Sequence, residues 1–177
     1  DLTDGTERRP DPGGPPQHGP SLRLLGEGRK QGRVKQMTVK KILVPTDGST
    51  FTKNAVESAI ATSKLTGASI TAVYVVDASS MSTARGDMFE SVTEILNEEG
   101  QEAVAAVKAQ CDAAGIQCET MVVGGRPADT IVEMSKDYDL IVMSTLGKTG
   151  VKKYLIGSVA EKVIRMAECK VLTIRAQ

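Results

Sequence analysis

The stretch from Ile141 to Val159 is Ile-Val-Met-Ser-Thr-Leu-Gly-Lys-Thr-Gly-Val-Lys-Lys-Tyr-Leu-Ile-Gly-Ser-Val. It begins with an apolar run typical of a buried strand and continues through a loop with glycines at 147 and 150. It ends in Gly157-Ser158, before an amphipathic segment. A strand that leads through such a loop to a helix N-terminus can hold a phosphate, because backbone N–H groups and the positive end of the helix dipole meet there. The stretch therefore predicts a phosphate site at the carboxyl end of a strand.

Strands and helices alternate on both sides of this stretch. Apolar runs predict strands at about 39–45, 69–76, 116–123, 139–144 and 171–174. Helical spacing of small and apolar residues predicts helices at about 50–66, 88–114, 127–136 and 158–167. We expect a polar loop at 77–87, and Gly100 interrupts the apolar stripe of the second helix. The order predicts an α/β fold, with a five-stranded parallel sheet and helices on both faces in a Rossmann-like arrangement.

The topology also predicts where a ligand binds. In parallel sheets of this kind, ligands lie outside the carboxyl ends of the strands, where the strand order reverses. The loops at 46–49 and 144–157 follow the first and fourth strands, so we expect them at the same end of the sheet.

Residues 1–36 differ in composition from the rest of the chain. They hold five of the seven prolines and seven of the seventeen glycines, and their few apolar residues have no sustained period. Such a segment buries too little surface to offset its ordering entropy. We predict a disordered tail or a non-native N-terminal extension, followed by one folded domain at 37–177. A regulatory arm carrying the basic residues of the tail is the alternative.

Composition narrows the class of function. Lys plus Arg and Asp plus Glu both number 22, which argues against a nucleic-acid binder with a broad basic surface. The three cysteines form no CxxC and the single histidine, His18, lies in the tail, so neither a disulfide framework nor a zinc site is indicated. No apolar run approaches the roughly 20 residues of a membrane span. We expect a cytoplasmic protein that contacts neither membrane nor nucleic acid.

Two known phosphate or nucleic-acid motifs fail on this loop. Gly147-Lys148-Thr149 resembles the end of a Walker A motif, but the position of its earlier glycine is Val142. Gly147 and Gly150 match a bare GxxG, which the α/β order and neutral charge do not support as a KH loop. The sequence also shows no Ser/His/Asp or Cys/His arrangement and no paired acid and base, so it predicts no catalytic residue.

Several polar residues have two interpretations. Ser158 and Glu161 have the spacing of a capping box, and the Ser158 hydroxyl can also face a phosphate. Asp47 is either a turn residue that bonds its own backbone, or an acceptor for a ribose or ligand for Mg²⁺. Three loop lysines also have two interpretations, because each can contact a phosphate or lie on a solvated face: Lys148, Lys152 and Lys153.

Several segments, in order, resemble the universal stress protein family. They are Lys-Ile-Leu-Val-Pro-Thr-Asp-Gly-Ser at 41–49, Asp-Leu-Ile-Val-Met-Ser at 139–144, Gly-Ser-Val-Ala-Glu-Lys-Val-Ile-Arg at 157–165 and Cys-Lys-Val-Leu-Thr-Ile at 169–174. The likeness spans 37–177 and implies an adenine nucleotide alpha hydrolase-like fold.

The ATP-binding branch of that family carries Gly, two residues, Gly, nine residues, then Gly-Ser or Gly-Thr. Gly147 and Gly157-Ser158 fit this spacing, whereas the first glycine falls on Ser144. Serine suits that position if its φ is negative, but not easily if its φ is positive. A second departure is Lys170, where the family often has proline.

The resemblance implies a site and a function. Pro45, Thr46, Asp47 and Val75 would line the adenosine side, Met143 and Ser144 would lie near the ribose and base, and Gly147, Gly157, Ser158 and Val159 would hold the phosphates. The expected ligand is ATP or a related adenine nucleotide with Mg²⁺. The resemblance also implies a homodimer that pairs the last strands, Lys170–Arg175.

We therefore expect a nucleotide-binding regulatory or stress-response switch. Two alternatives stay open on the sequence. One is a dimeric scaffold of the same fold that has lost nucleotide binding, which Ser144 favours. The other is a slow ATP hydrolase, for which Asp47 is the one candidate base.

Overall fold

The computed structural model describes residues 38–77, 87–148 and 156–175, and for 87–91 it describes the backbone alone. The predictions for residues 1–36, for most of the loop at 77–87 and for Gly150, Lys152 and Lys153 lie outside these residues. Among the described residues, no helix combines the length and the apolarity that crossing a membrane requires.

The described part of the chain contains five strands and four α-helices. The strands are β1 (Lys41–Pro45), β2 (Ser69–Asp77), β3 (Cys118–Gly125), β4 (Leu140–Ser144) and β5 (Lys170–Ile174). The helices are α1 (Lys53–Thr66), α2 (Asp87–Ala113), α3 (Pro127–Met134) and α4 (Ser158–Met166). Short 3-10 turns at Thr50–Thr52 and Ser135–Asp137 precede α1 and follow α3. Strands and helices alternate in the predicted order.

The five strands form one parallel sheet in the order β3-β2-β1-β4-β5. The β1 strand lies at its centre, where Ile42 is aligned with Ile70 of β2 on one side and with Leu140 of β4 on the other. From β1 the chain adds β2 and then β3 on one side, and it then crosses to the other side of β1, where it adds β4 and β5. The order therefore reverses between β1 and β4, and their carboxyl ends form the crevice where ligands bind in such folds. The predicted fold class is confirmed.

Helices cover both faces of the sheet, so two hydrophobic cores form. Ile42 and Val44 of β1 are fully buried in the core under α1 and α2. Leu43 between them is fully buried in the core under α3 and α4. This alternation follows from the two-residue period of a strand. A run of three contiguous apolar residues is what a central strand with both faces covered requires.

The third strand begins two residues later than predicted, at Cys118. The N–H of Ile116 donates to the carbonyl of Cys111 at 2.9 Å, and Gly115 has a φ of +72°. These two features close α2 with a left-handed C-terminal turn, in which an apolar residue often follows the glycine. Ile116 therefore belongs to the turn that closes α2 and not to β3.

Gly100 brings α2 close to the sheet. A Cβ at this position would lie 2.8 Å from Cδ1 of Tyr74 and 2.9 Å from Cγ1 of Val122. Both distances are shorter than packed carbon atoms allow, so glycine is the residue that fits. The interruption seen in the apolar stripe of α2 is thus a point of close contact between the helix and strands β2 and β3.

Candidate functional site

A cavity of about 340 Å³ lies at the carboxyl ends of β1 and β4, within the range of about 300–1,000 Å³ typical of small-molecule sites. Its wall contains all ten residues that the sequence analysis assigned to a nucleotide: Pro45, Thr46, Asp47, Val75, Met143, Ser144, Gly147, Gly157, Ser158 and Val159. They come from β1, β2, β4, the loops that follow β1 and β4, and the start of α4. The structure brings these positions together, and their role toward a ligand stays a prediction.

Asp47 joins the two loops that border the cavity. Its Oδ1 accepts hydrogen bonds from the backbone N–H of Ser49 at 3.0 Å and from the Ser49 hydroxyl at 2.6 Å. Its Oδ2 accepts a hydrogen bond from the backbone N–H of Lys148 at 2.5 Å. The bonds to Ser49 are those of the predicted turn residue. The sequence did not predict the bond to Lys148, which lies in the loop after β4.

Gly147 is glycine because of Asp47. Its φ is not positive, so its conformation does not demand glycine. A Cβ here would instead lie 2.7 Å from Oδ2 of Asp47, the oxygen that accepts from Lys148. Gly157 differs, since a Cβ there would lie 3.4 Å from the Thr145 carbonyl oxygen, an ordinary contact. The fold alone therefore explains Gly147 and leaves the glycine at 157 without a packing reason.

Ser144 occupies the motif's first glycine position without strain. Among the described residues, only glycines have a positive φ, so Ser144 lies in a region open to any residue. Its hydroxyl oxygen accepts a hydrogen bond from the backbone N–H of Leu146 at 3.2 Å. Only 6% of Ser144 is exposed to solvent. The serine therefore supports the first turn of the loop.

The α4 helix begins differently from the capping box that the sequence predicted. Gly157 is the N-cap, with φ −64° and ψ 151°, and this N-cap makes no side-chain hydrogen bond to the helix. Ser158 is already the first helical residue, and the N–H of Glu161 donates to the Gly157 carbonyl at 2.9 Å. The capping-box prediction is wrong, because glycine with an extended ψ supplies the N-cap backbone itself. Helix geometry leaves the N–H groups of the first turn without intrahelical partners, and this turn lines the cavity.

Lys148 follows Gly147 and extends away from the cavity toward α2. Its Nζ lies 2.7 Å from Oε2 of Glu99 and 5.8 Å from the ring centroid of Tyr74. The hydrogen bond to Glu99 raises the pKa of Lys148, and the same bond lowers the pKa of the Glu99 carboxyl. The ammonium is therefore paired while its side chain stays half exposed, so both interpretations of this lysine, a phosphate contact and a solvated face, remain open.

The cavity wall also contains residues that the sequence analysis did not assign to it. They are Thr52, Val73, Tyr74, Asp77, Pro127, Ile131, Thr145, Leu146, Lys148 and Ala160. Pro127 is the first residue of α3, as its position in the sequence predicted. Because α3 follows β3 at the same end of the sheet, Pro127 is the sequence signal that places this helix start at the cavity. Glu99 lies in the middle of a long polar-faced helix, where no pattern distinguishes it.

The site offers hydrogen-bond donors and apolar contacts more than reactive groups. Within the described ranges, no three His, Cys, Asp or Glu residues lie together in a way that could hold a metal ion. Thr46 is 7% exposed, and its hydroxyl oxygen accepts from the N–H of Gly48 at 3.1 Å. Val75, Ile131 and Met143 supply an apolar part of the wall. The arrangement can hold a molecule with a flat apolar part and an anionic part.

Comparison with known proteins identifies the family. The universal stress protein family model matches residues 38–175. The universal stress protein MJ0531 of Methanocaldococcus jannaschii is 45% identical over 140 residues, which are 77% of this chain and 82% of that protein. The structure of the hypothetical protein MJ0577 superimposes with a TM-score of 0.71 at 28% identity, covering 79% of this chain and 98% of that one.

Two more distant structures share the fold and carry a nucleotide. A universal stress protein in complex with cAMP has a TM-score of 0.59 at 22% identity, covering 79% of this chain and 99% of that one. A family protein from Arabidopsis thaliana with AMP bound has a TM-score of 0.58 at 22% identity, covering 78% of this chain and 92% of that one. With the matching fold, the family model over nearly the whole described domain and a relative of 45% identity, this chain belongs to the universal stress protein family.

Proposed function

We propose that this chain binds an adenine nucleotide in the cavity between β1 and β4 and acts as a nucleotide-dependent regulatory protein. The observation that carries the proposal is one cavity in which an apolar wall meets a loop and a helix start with backbone donors. Two family structures with AMP and cAMP support the ligand class, since both are adenine nucleotides. In its most specific form, the proposal names ATP as the ligand.

The base and ribose would contact the apolar part of the wall. Pro45 and Val75 would pack against the adenine, while Thr46 and Met143 lie beside the same space. A planar ring system buries much apolar area at little entropic cost, so such contacts hold the base. Ser144 would lie near the ribose.

The phosphates would lie against Gly147 and the first turn of α4. Ser158 and Val159 would supply backbone N–H donors and the positive end of the helix dipole, as in other phosphate sites. The N–H of Gly157 donates to the Thr145 carbonyl at 2.8 Å, so Gly157 would hold the phosphates by leaving room beside the helix start. The absence of a Cβ at Gly157 has no packing reason in the fold and would let an anion approach the backbone closely. Mg²⁺ would arrive with the phosphates and keep several of its waters, as this ion usually does.

The second part of the proposal is a homodimer formed through β5. This strand is one edge of the sheet, and its Leu172 is 38% exposed. On the neighbouring α4, Ile164 and Met166 are 44% and 56% exposed. An open edge next to exposed apolar side chains needs a cover, and pairing with a second copy supplies one. We also propose that the protein acts in the cytoplasm.

Isothermal titration with ATP, ADP, AMP and cAMP tests the ligand directly. We expect saturable binding of at least one adenine nucleotide and weaker binding in Gly157→Ala, because the new methyl group keeps the phosphate from the backbone. Gly124→Ala is the matched control, since a Cβ at Gly124 on β3 would meet no atom within 4 Å. No heat and no thermal shift with any nucleotide at millimolar concentration would instead favour the dimeric scaffold.

The slow hydrolase predicts one further signal in the same samples. It would release phosphate from bound ATP at a steady rate, and Asp47→Asn would stop that release. Both oxygens of Asp47 accept hydrogen bonds within the loops. We therefore propose that the chain binds the nucleotide and that Asp47 does not act as a base in its hydrolysis.

A further inference from the structure

Lys148 lies between two cavities. A second cavity of about 440 Å³ opens on the other side of the loop after β1, between α1 and α2. Its floor contains the buried residues Val56, Ala103 and Val107, and Glu99 and Glu102 lie on its wall. Lys148 lines this second cavity as well as the one proposed for the nucleotide.

The backbone and the side chain of Lys148 have different partners. Its N–H is fixed to Oδ2 of Asp47, next to Gly147 at the proposed phosphate end. Its ammonium reaches Oε2 of Glu99 at 2.7 Å, on the side of the second cavity. The Tyr74 hydroxyl donates to the same oxygen of Glu99 at 3.5 Å. The main chain therefore holds the base of the side chain at the first cavity, while the charged end is neutralised on α2.

The ion pair between Lys148 and Glu99 can exchange. The two side chains are 50% and 47% exposed, and ion pairs at such exposure are weak because water and salt screen them. The four-carbon stem of lysine is flexible and carries a compact charge. A phosphate next to Gly147 lies within the reach of that stem and carries more negative charge than one carboxylate.

We propose that Lys148 exchanges Glu99 for the outer phosphates of a bound nucleotide, so that Glu99 determines how strongly the site prefers nucleotides with more phosphates. This inference rests on the proposed function of the cavity. Adenosine lacks the phosphates that attract the ammonium, so Lys148 stays on Glu99 when adenosine binds. When ATP binds, its phosphates pair with the ammonium, and the Glu99 carboxylate loses its cationic partner close to the added negative charge. Glu99 therefore weakens the binding of ATP and does not affect the binding of adenosine.

Titrations of adenosine, AMP and ATP at constant Mg²⁺ test this exchange in wild type, Glu99→Gln, Lys148→Met and the double variant. We expect Glu99→Gln to strengthen ATP binding about two- to fivefold, the range set by an exposed ion pair, and to leave adenosine unchanged. In the Lys148→Met background, Glu99→Gln should no longer strengthen ATP binding. Glu102→Gln is the matched control, because it removes the same charge from the same helix and the same cavity.

A second measurement follows the exchange at Lys148 itself. The ¹³Cε and ¹⁵Nζ resonances of Lys148 in the free protein should change in Glu99→Gln, and ATP should change them in wild type whereas adenosine should not. The thermal midpoints of all variants show whether the fold is intact.

The outcomes separate this inference from the proposed function. If the wild type binds no adenine nucleotide, the proposed function is wrong and the exchange falls with it. If the wild type binds, three results would overturn the exchange alone. Glu99→Gln could strengthen the binding of adenosine and ATP equally, or Glu102→Gln could have the same effect as Glu99→Gln. The third is that Glu99→Gln still strengthens ATP binding in the Lys148→Met background.

Discussion

The carboxylate of Asp47 and the backbone N–H of Lys148 form a hydrogen bond of 2.5 Å that joins the loops after β1 and β4. These loops lie at the ends of the two strands between which the sheet order reverses. Charge-assisted hydrogen bonds of this kind are short and strong. The bond therefore fixes the border of the cavity, and Gly147 makes room for it, because a Cβ would lie 2.7 Å from the accepting oxygen.

Asp47 and Gly147 should be thermodynamically coupled. Gly147→Ala displaces the Asp47 carboxylate, and we expect it to lower the free energy of unfolding by about 1–3 kcal/mol through the lost hydrogen bond. In an Asp47→Ala background no oxygen remains to clash, so the same substitution should cost less than about 0.5 kcal/mol. Urea unfolding of the four proteins in a double-mutant cycle measures the coupling.

The control for this cycle is Gly124→Ala, which adds a methyl group where no atom lies within 4 Å. Its effect should be small in both backgrounds. Equal costs of Gly147→Ala with and without Asp47 would show that the glycine is needed for another reason.

Ser144 should stabilise the loop that follows β4. Ser144→Gly removes the oxygen that accepts from the Leu146 N–H and adds backbone freedom to the unfolded chain. We expect a loss of about 1–2 kcal/mol in the free energy of unfolding, measured by urea denaturation. Ser158→Ala is the control, since Ser158 is exposed and no side chain caps α4, and it should change stability by less than about 0.5 kcal/mol.

The same variant bears on the ligand. Because Ser144 has an ordinary φ, we expect nucleotide affinity in Ser144→Gly to stay close to that of the wild type. A tenfold gain in affinity would show that the serine side chain obstructs the nucleotide.

Leu172 tests the proposed homodimer. Leu172→Asp places a charge on the exposed side of the edge strand β5, and desolvating that charge in a strand-paired interface is costly. Sedimentation should therefore change from dimer to monomer, with circular dichroism showing that the domain still folds. Leu65→Asp is the control, because Leu65 is 88% exposed at the end of α1 and is not part of the edge strand β5. A dimer that both substitutions leave unchanged would place the interface elsewhere.

The fold was predictable because its signals are local. Contiguous Ile42, Leu43 and Val44 indicate a strand covered on both faces, and the spacing of Ala55, Val56 and Ala59 indicates a helix, without knowledge of their partners. The meeting of the loops at 46–49 and 144–157 also followed, since parallel strands bring their carboxyl ends to one edge of the sheet. The choice of the ten residues came instead from the resemblance to the universal stress protein family.

The pairings within the site were not predictable, because they depend on distances across the chain. Asp47 and Lys148 are far apart in sequence, and a turn residue gives no sign that its second oxygen bonds another loop. Gly100 interrupts the apolar stripe of α2, and the positions of Tyr74 and Val122 across from it explain the glycine. The N-cap of α4 was misassigned by one residue because both Gly157 and Ser158 are favourable N-caps, whereas the predicted start of the helix at 158 was right.

Asp139 should make the stability of the domain depend on pH. Its Oδ2 accepts from the backbone N–H groups of Lys40 and Lys41 at 2.8 and 3.0 Å, which ties the start of β4 to the start of β1. These two backbone hydrogen bonds hold the pKa of the Asp139 carboxyl below its usual range. The unfolded chain therefore takes up the proton first as the solution is acidified. The contribution is fully present above the unfolded pKa of about 3.9 and disappears as the pH falls through the lower folded value.

We expect Asp139→Asn to lose about 1 kcal/mol in the free energy of unfolding at pH 7, an amount that allows for partial exposure, and the gap to the wild type to narrow below about pH 4. Urea unfolding at pH 7, 5 and 3.5 measures this gap, with the exposed Asp137→Asn as control. A gap that stays constant over this range would show that the charge of Asp139 does not stabilise the pairing of β1 with β4.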